Sequence, residues 1–481
     1  MGELGAQQVR EIVAKGWDSA GNGDGGVVAS LSGLIGIPAL SPAFDAGWAA
    51  SGHLDAAAEH VRDWIASRNL PGAQLEIIRL DGRSPLLVAD IPATPGAEDR
   101  GTVLLYGHLD KQPPFEGWSD GLGPWQPVQR DGRLYGRGSA DDGYSGYAAV
   151  TALEAVRGAG GGHARAVVLL ETGEESGSPD LPAYLEHLAG RLGDVTLVVC
   201  LDAGGGDYSR LWLTNSLRGM VAVTATVRVL DAPLHSGTAS GIVPSSFRVL
   251  RLLLDRIEES ATGGILLPAF NVPIPDGARQ AARDTAQTQP GSVRSQFRLP
   301  AGMQLTSDDE AELILSNTWR PTLSVTGAAG MPEPAAAGNV LRSATSLRLS
   351  FRLPPTAVSA DALGELITAL TADVPYGAEV TISDVQAEDG WTAPAAAPWL
   401  AAALDRVGQD VFTQAPGGLG VGGSIPFMGL LGHTYPRAQF VVTGALGADS
   451  NMHVPDEWLN VPFAQQVTEA IAHIVDAHSR G

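Results

Sequence analysis

The sequence contains a single cysteine, Cys200, among 481 residues. That excludes an internal disulfide framework and a cysteine-rich zinc site, and it fits a reducing compartment. Cys200 lies in the apolar run VTLVVCLDAG, which reads as a buried strand with nothing nearby to activate a thiolate. Basic residues are also scarce: 31 Lys and Arg against 53 Asp and Glu leave a net charge of −22, a field that repels nucleic-acid phosphates and anionic lipid headgroups. No apolar run approaches the ~20 residues of a membrane-spanning helix. The opening MGELGAQQVREIVAKGWDSAGNG has helical spacing and mixed charge, not the basic start and apolar stretch of a secretion signal. A cytoplasmic location follows, with neither nucleic acid nor membrane as partner. No His is followed directly by Glu, which removes the HExxH helix of zincins, and no GxSxG elbow supports a serine hydrolase.

What is present is ample material for a core, with 44% hydrophobic and 17% charged residues. The length exceeds what one core usually supports, so two domains are expected. Three apolar runs, TVLLYG, ARAVVLLETG and VTLVVCLDAG, are separated by the helical patterns SGYAAVTALEAVRGAG and SPDLPAYLEHLAGRL. Strands that are apolar throughout and alternate with helices predict a mostly parallel sheet covered on both faces, the α/β class. Each run ends in polar residues (GHLD, EE, LDAG), and open α/β sheets bind ligands at the carboxyl ends of their strands.

From about 216 the pattern changes to alternating strands, VAVTATVRVL and SLRLSFRLPP, and to the helices SSFRVLRLLLDRIEES and SADALGELITALTADV. Alternation implies one wet face, hence an antiparallel sheet in an α+β domain. Residues 266–302 and 326–338, rich in Pro, Ala and Gly, read as long loops. After 385 the helix PWLAAALDRVGQDVF, the strand AQFVVTG and a terminal helix from VPFAQQ return to the first style. The expected organisation is 1–215 and 386–481 forming one domain, with 216–385 inserted.

Four separated motifs supply groups that can hold cations. In YGHLDKQP, His108 leaves a strand end and Asp110 can accept the second N–H of its imidazole. In LYGRGSADDG, glycines allow the turn that presents Asp141. In ETGEESGS, the adjacent Glu174 and Glu175 can divide ligation from proton handling. In GADSNMHVPDEW, His453 lies in a loop.

This ordered set, spanning GHLDKQP to ADSNMHVPDEW, resembles the zinc peptidase family of aminoacylases, carboxypeptidase G and carnosinase-type dipeptidases. The resemblance implies a zinc-peptidase-like catalytic domain with an inserted lid and dimerisation domain. It implies two divalent metal ions per chain, zinc first with manganese or cobalt as alternatives: His108 and Asp202 on one, Glu175 and His453 on the other, Asp141 bridging. Glu174 takes the general-base position, with Asp110 supporting His108, and the Asp141–Asp142 peptide bond is expected to be cis.

By the same resemblance, PLHSG supplies a lid histidine, His235, that completes the neighbouring subunit's site in a homodimer. FRLPP supplies Arg352 for a substrate carboxylate, GGSIP supplies Gly423 and Ser424, and Asn339 joins them as a substrate contact. The implied reaction is hydrolysis of an amide in a small substrate with a free carboxylate, a dipeptide or an N-acyl amino acid. Asp202 stands where acylases of the family carry Glu and dipeptidases more often carry Asp, which favours a dipeptidase. A non-catalytic binding protein on the same fold would have no use for Glu174. One departure is that Gly143-Tyr144 follow Asp142 where Lys-Gly is common.

Similar patterns elsewhere are read as decoys. A second GHLD at 52–55 opens a helical pattern, and GNGDGG at 21–26 and GLGVGG at 418–423 match GxGxxG without a strand-to-helix junction, so both read as loops.

Overall fold

The computed structural model describes residues 4–18, 25–423, 426–447 and 449–481. The main strands are β1 (Gln74–Ile78), β2 (Leu86–Ile91), β3 (Thr102–His108), β4 (Arg165–Glu171) and β5 (Val195–Cys200). They continue with β6 (Gly219–Arg228), β7 (Thr322–Ala329), β8 (Ala344–Leu353), β9 (Glu379–Glu388) and β10 (Gln439–Val442). Two compact units result, one of Met1–Thr214, Ala393–Leu419 and Leu430–Gly481, the other of Asn215–Thr392 and Gly420–Gly429. Gly422 and Gly423, read from sequence with the last stretch, thus cluster with the second unit.

The first unit is built on a six-stranded sheet in the order β1-β2-β4-β3-β5-β10. β4, β3, β5 and β10 run parallel, β2 is antiparallel to them at one edge, and β1 pairs antiparallel with β2. Every residue of β3 is buried, so both faces of the sheet are covered there, as its unbroken apolar run requires. The helix Ser145–Gly158 is buried along most of its length, because its small Ala-rich surface lets it lie close to the strands. The parallel strands place His108, Glu171 and Cys200 at one end of the sheet, with the loops that follow them on the same side.

The second unit holds the antiparallel sheet β7-β8-β6-β9. β8 alternates strictly between buried and half-buried positions. Its inward residues, Leu347, Leu349, Phe351 and Leu353, meet Val221, Val223, Ala225 and Val227 of β6 and the inner faces of the helices Ser246–Leu254 and Ser359–Thr371. Ser245 Oγ caps the first of these helices, accepting the N–H of Arg248 at 3.1 Å. That helix stops at Leu254, and Glu258–Glu259 instead pair in a short hairpin, so the sequence reading ran it too far.

Three further expectations are corrected. Residues 266–302 are not one long loop: Asp276–Thr288 form a helix whose Ala282 packs with Leu315 and Trp319, with irregular chain on either side. The flanking prolines, Pro273 and Pro275, precede its first turn, where proline is tolerated. Within 326–338, β7 extends to Ala329. Gly417–Val421 is likewise a strand, with a helix beginning at Pro426. Its glycines serve close packing, since a Cβ on Gly417 would stand 2.4 Å from the Trp212 ring. Residues 21–24 lie outside those described. The helix His53–Ala66 does open at the decoy GHLD, Cys200 is buried at the end of β5, and among the described residues no helix is long and apolar enough to cross a membrane.

Candidate metal centre

All five expected ligands lie in the first unit, at loops that leave the carboxyl ends of its parallel strands or approach them. His108 ends β3, and its Nδ1 stands 3.0 Å from the carbonyl oxygen of Asp110. An N–H donated there leaves the Nε2 lone pair for the site. The Asp110 carboxylate lies farther from the imidazole, at 3.4 Å, and accepts the backbone N–H groups of Glu174 and Glu175 at 3.1 and 3.0 Å. Asp110 therefore orients the histidine chiefly through its backbone and seats the glutamate turn with its side chain.

The turn from Gly136 to Tyr144 carries Asp141, and the Asp141–Asp142 peptide bond is cis. Asp142 Oδ2 accepts the N–H of His108 at 3.1 Å. It lies over Gly107, where a Cβ would approach it to 2.6 Å, so the GH pair needs its glycine. The departure at Gly143 has a local cause as well: a Cβ there would stand 2.4 Å from the Gly138 carbonyl oxygen, leaving no room for lysine in this turn. His453 adopts φ 62°, a left-handed conformation uncommon for a side chain of this size and persisting where the surroundings over-determine it.

Asp141 Oδ1 lies 3.3 Å from His108 Nε2, and Asp141 Oδ2 lies 2.8 Å from His453 Nε2. Asp202 Oδ2 is 3.9 Å and Glu174 Oε2 4.0 Å from His108 Nε2, while Glu175 Oε2 is 3.3 Å from His453 Nε2. Donor atoms of His108, Asp141 and Glu175 fall within 4.8 Å of one another, as do those of His108, Asp142 and Asp202. Asp142 is thus an additional near neighbour, with its Oδ1 buried and unpartnered.

Burial, reinforced by neighbouring carboxylates, pushes Glu174 well above the usual range and Asp202 up to about 7. Burial opposes a proton on His453, yet contacts with Asp141 and Glu175 outweigh it and raise the imidazole to about 10. A centre with this surplus of carboxylates is stabilised by positive charge. Imidazole nitrogens and carboxylate oxygens on rigid strand ends are the donors that divalent zinc, manganese or cobalt accept. The residues fit divalent cations.

Three contributors were not singled out from sequence. Gln112 Nε2 donates to Glu175 Oε2 at 2.6 Å. Lys111 is buried and donates to the carbonyls of Leu34 and Ile37, both at 2.7 Å, closing the end of the helix Val27–Ile35. Glu457 accepts the N–H groups of Ala140 and Asp141 and pairs with Arg137. The first two stand in the HLDKQP motif itself, and Glu457 in HVPDEW, so adjacency to a ligand was the available signal.

Of the remaining expected residues, His235, Asn339, Arg352 and Gly423 belong to the second unit. His235 lies on a two-residue strand opposite Val340, and the next N–H, of Ser236, donates to Asn339 O at 2.8 Å, so His235 and Asn339 are neighbours. His235 is exposed. Arg352 lies on β8 between Thr322 and Met220. Arg218, also missed, donates its Nε to Gly422 O at 2.8 Å and its backbone N–H to Gly423 O at 3.1 Å. Burial and then the charge of Arg352 lower the Arg218 guanidinium to about 10. Ser424 lies outside the described residues.

A model of Peptidase family M20/M25/M40 matches residues 104–477. The chain is 26% identical over 430 residues to a cysteinylglycine-S-conjugate dipeptidase of Corynebacterium striatum, covering 87% of this chain and 89% of that protein. It is 30% identical over 315 residues to the Beta-Ala-His dipeptidase of Mus musculus, 60% of each chain. The crystal structure of human carnosine dipeptidase 1 superposes with a TM-score of 0.74 at 22% identity, covering 99% of both chains, a likeness of fold.

Proposed function

The chain belongs to Peptidase family M20/M25/M40, and from that premise we propose that it is a metal-dependent dipeptidase acting on small substrates with a free carboxylate. Relatives named as dipeptidases support that substrate class. The observation that carries the reading is Asp141, which turns one oxygen to His108 and the other to His453. That arrangement supports two divalent ions per chain, which the reading takes as zinc, with manganese or cobalt as alternatives. His108 and Asp202 would hold one, Glu175 and His453 the other, and Asp141 both.

Bound cations would supply Lewis acidity toward the amide carbonyl and the attacking water. Glu174 Oε2, 4.0 Å from His108 Nε2 and not among the five ligands, is free to take the water's proton and pass it to the leaving amine. Burial, which raises its proton affinity, suits that exchange. Arg352 pairs with the substrate carboxylate. Gly423, Ser424 and Asn339 contact the substrate, and His235 donates to the developing oxyanion of a partner subunit's site in a homodimer. A cytoplasmic location belongs to the same reading, supported by the single, buried Cys200.

The test is a hydrolysis panel of dipeptides against N-acyl amino acids, with metal content measured on the same sample. Dipeptides should be cleaved faster, with about two zinc equivalents bound. Preferential cleavage of N-acyl amino acids would replace the dipeptidase reading with a deacylase.

A further inference from the structure

Tyr144 stands two residues after Asp142 and is fully buried at the start of the helix Ser145–Gly158. Its hydroxyl joins two other segments, donating to the carbonyl of Leu201 at 2.5 Å and accepting the N–H of Ala445 at 2.8 Å. Leu201 immediately precedes Asp202, and its own N–H donates to the Tyr106 carbonyl of β3 at 3.3 Å. Both backbone polar groups of Leu201 are therefore committed. Its carbonyl oxygen lies in the rigid peptide plane that leads into Asp202, so holding that oxygen sets the plane from which the Asp202 side chain departs. There is little slack beside it: a Cβ on Gly444 would stand 2.4 Å from the Leu201 oxygen and 2.2 Å from that of Ala203.

We propose that Tyr144 is a positioning residue for Asp202, its hydroxyl aiming the carboxylate toward the place shared with His108 and Asp141. The inference rests on the reading of Asp202 as a metal ligand. It gives Tyr144 a role in metal affinity that its burial alone would not.

Tyr144→Phe keeps the ring and removes the hydroxyl. Tyr147→Phe is the matched control, an equally buried tyrosine on the same helix whose hydroxyl pairs with Ser30 Oγ at 3.0 Å. Metal-stripped full-length proteins are titrated with Zn²⁺ alone, and thermal melting establishes that the two variants are comparably folded. Tyr144→Phe should weaken one class of zinc site about ten-fold, in the range typical of groups that orient ligands, while Tyr147→Phe leaves zinc binding at the wild-type value. In an Asp202→Asn background the Tyr144→Phe effect should vanish, because the hydroxyl has no carboxylate left to aim. Wild-type zinc affinity in Tyr144→Phe, an equal loss in Tyr147→Phe, or an undiminished ten-fold loss in the Asp202→Asn background overturns the proposal. Wild-type affinity in Asp202→Asn itself removes the ligand reading on which it stands, a different and separately visible failure.

Discussion

Arg137 Nη1 donates to Glu457 Oε2 at 2.7 Å, with the two side chains 1% and 0% exposed. The other Glu457 oxygen accepts the N–H groups of Ala140 and Asp141 at 3.2 and 3.3 Å, and Arg137 Nη2 donates to the carbonyl of Val454 at 3.1 Å. One buried ion pair thus fastens the loop bearing Asp141 to the loop bearing His453. Removing one partner of such a pair leaves an uncompensated charge, so Arg137→Met should lower unfolding stability by about 3–5 kcal/mol. Glu457→Gln leaves the Arg137 guanidinium, which cannot lose its proton, buried without an anion and turns an amide donor toward it, so it should cost at least as much. Urea denaturation of the two variants checks the order; an Arg137→Met protein as stable as wild type would show that the pair holds nothing.

Glu174→Gln should keep the wild-type metal content and lose turnover by ~10²–10⁴-fold, since an amide cannot accept the water's proton while the five ligands remain. Metal analysis and initial rates on one preparation decide it, and a variant with near-normal kcat would end the assignment of the base.

His163 offers a pH prediction that involves none of the candidate ligands. It is fully buried, its Nδ1 donating to Ala164 O at 2.7 Å with Arg157 Nη1 3.2 Å from Nε2. Burial lowers it from an ordinary 6.5 to about 4. The unfolded chain takes up a proton below pH 6.5 that the folded chain refuses until about pH 4. The stability is therefore complete above 6.5 and lost as pH falls through that window, by about 3 kcal/mol in all. His163→Gln should show a shallower decline of the unfolding free energy between pH 6.5 and 4; superimposable profiles would contradict the assignment.

If His235 acts across a homodimer, mixing Glu174→Gln chains with His235→Ala chains should restore activity. One site of each mixed dimer then combines an intact base with an intact donated histidine, up to a quarter of the wild-type sites under random exchange. Activity assays after demonstrated subunit exchange are the measurement. A mixture as inactive as its parents means that His235 does not act across the interface.

The central sheet was legible from strands apolar throughout, such as TVLLYG, and the meeting of His108, Glu175 and Asp202 from polar residues where those strands end, whereas Asp141 and His453 were reached through the ordered motifs and the family they resemble. The antiparallel unit was legible from the alternation in SLRLSFRLPP. The helix Asp276–Thr288 was hidden by the prolines before it, although its Ala, Gln and Arg are ordinary helix formers. Glu457, Arg137 and Tyr144 were illegible for another reason. Each acts through a contact between distant segments, and in PDEW the glutamate reads as a surface acid while the structure buries it completely.

The strand order of the first unit also bears on how the protein is made. β5 pairs with β3 on one side and with β10 on the other, and β10 follows the whole of Asn215–Thr392 in the chain. At ~5–20 residues per second of synthesis, the outer edge of β5 waits on the order of tens of seconds for its partner. The four strands of the antiparallel sheet lie in one contiguous stretch and can assemble on the ribosome in that interval. Meanwhile VTLVVC presents an unpaired, apolar strand edge, a template for association with other nascent chains. Production of this protein is thus most exposed to aggregation after the second unit has emerged and before Gln439–Val442 does, which is when a chaperone that shields strand edges would matter most.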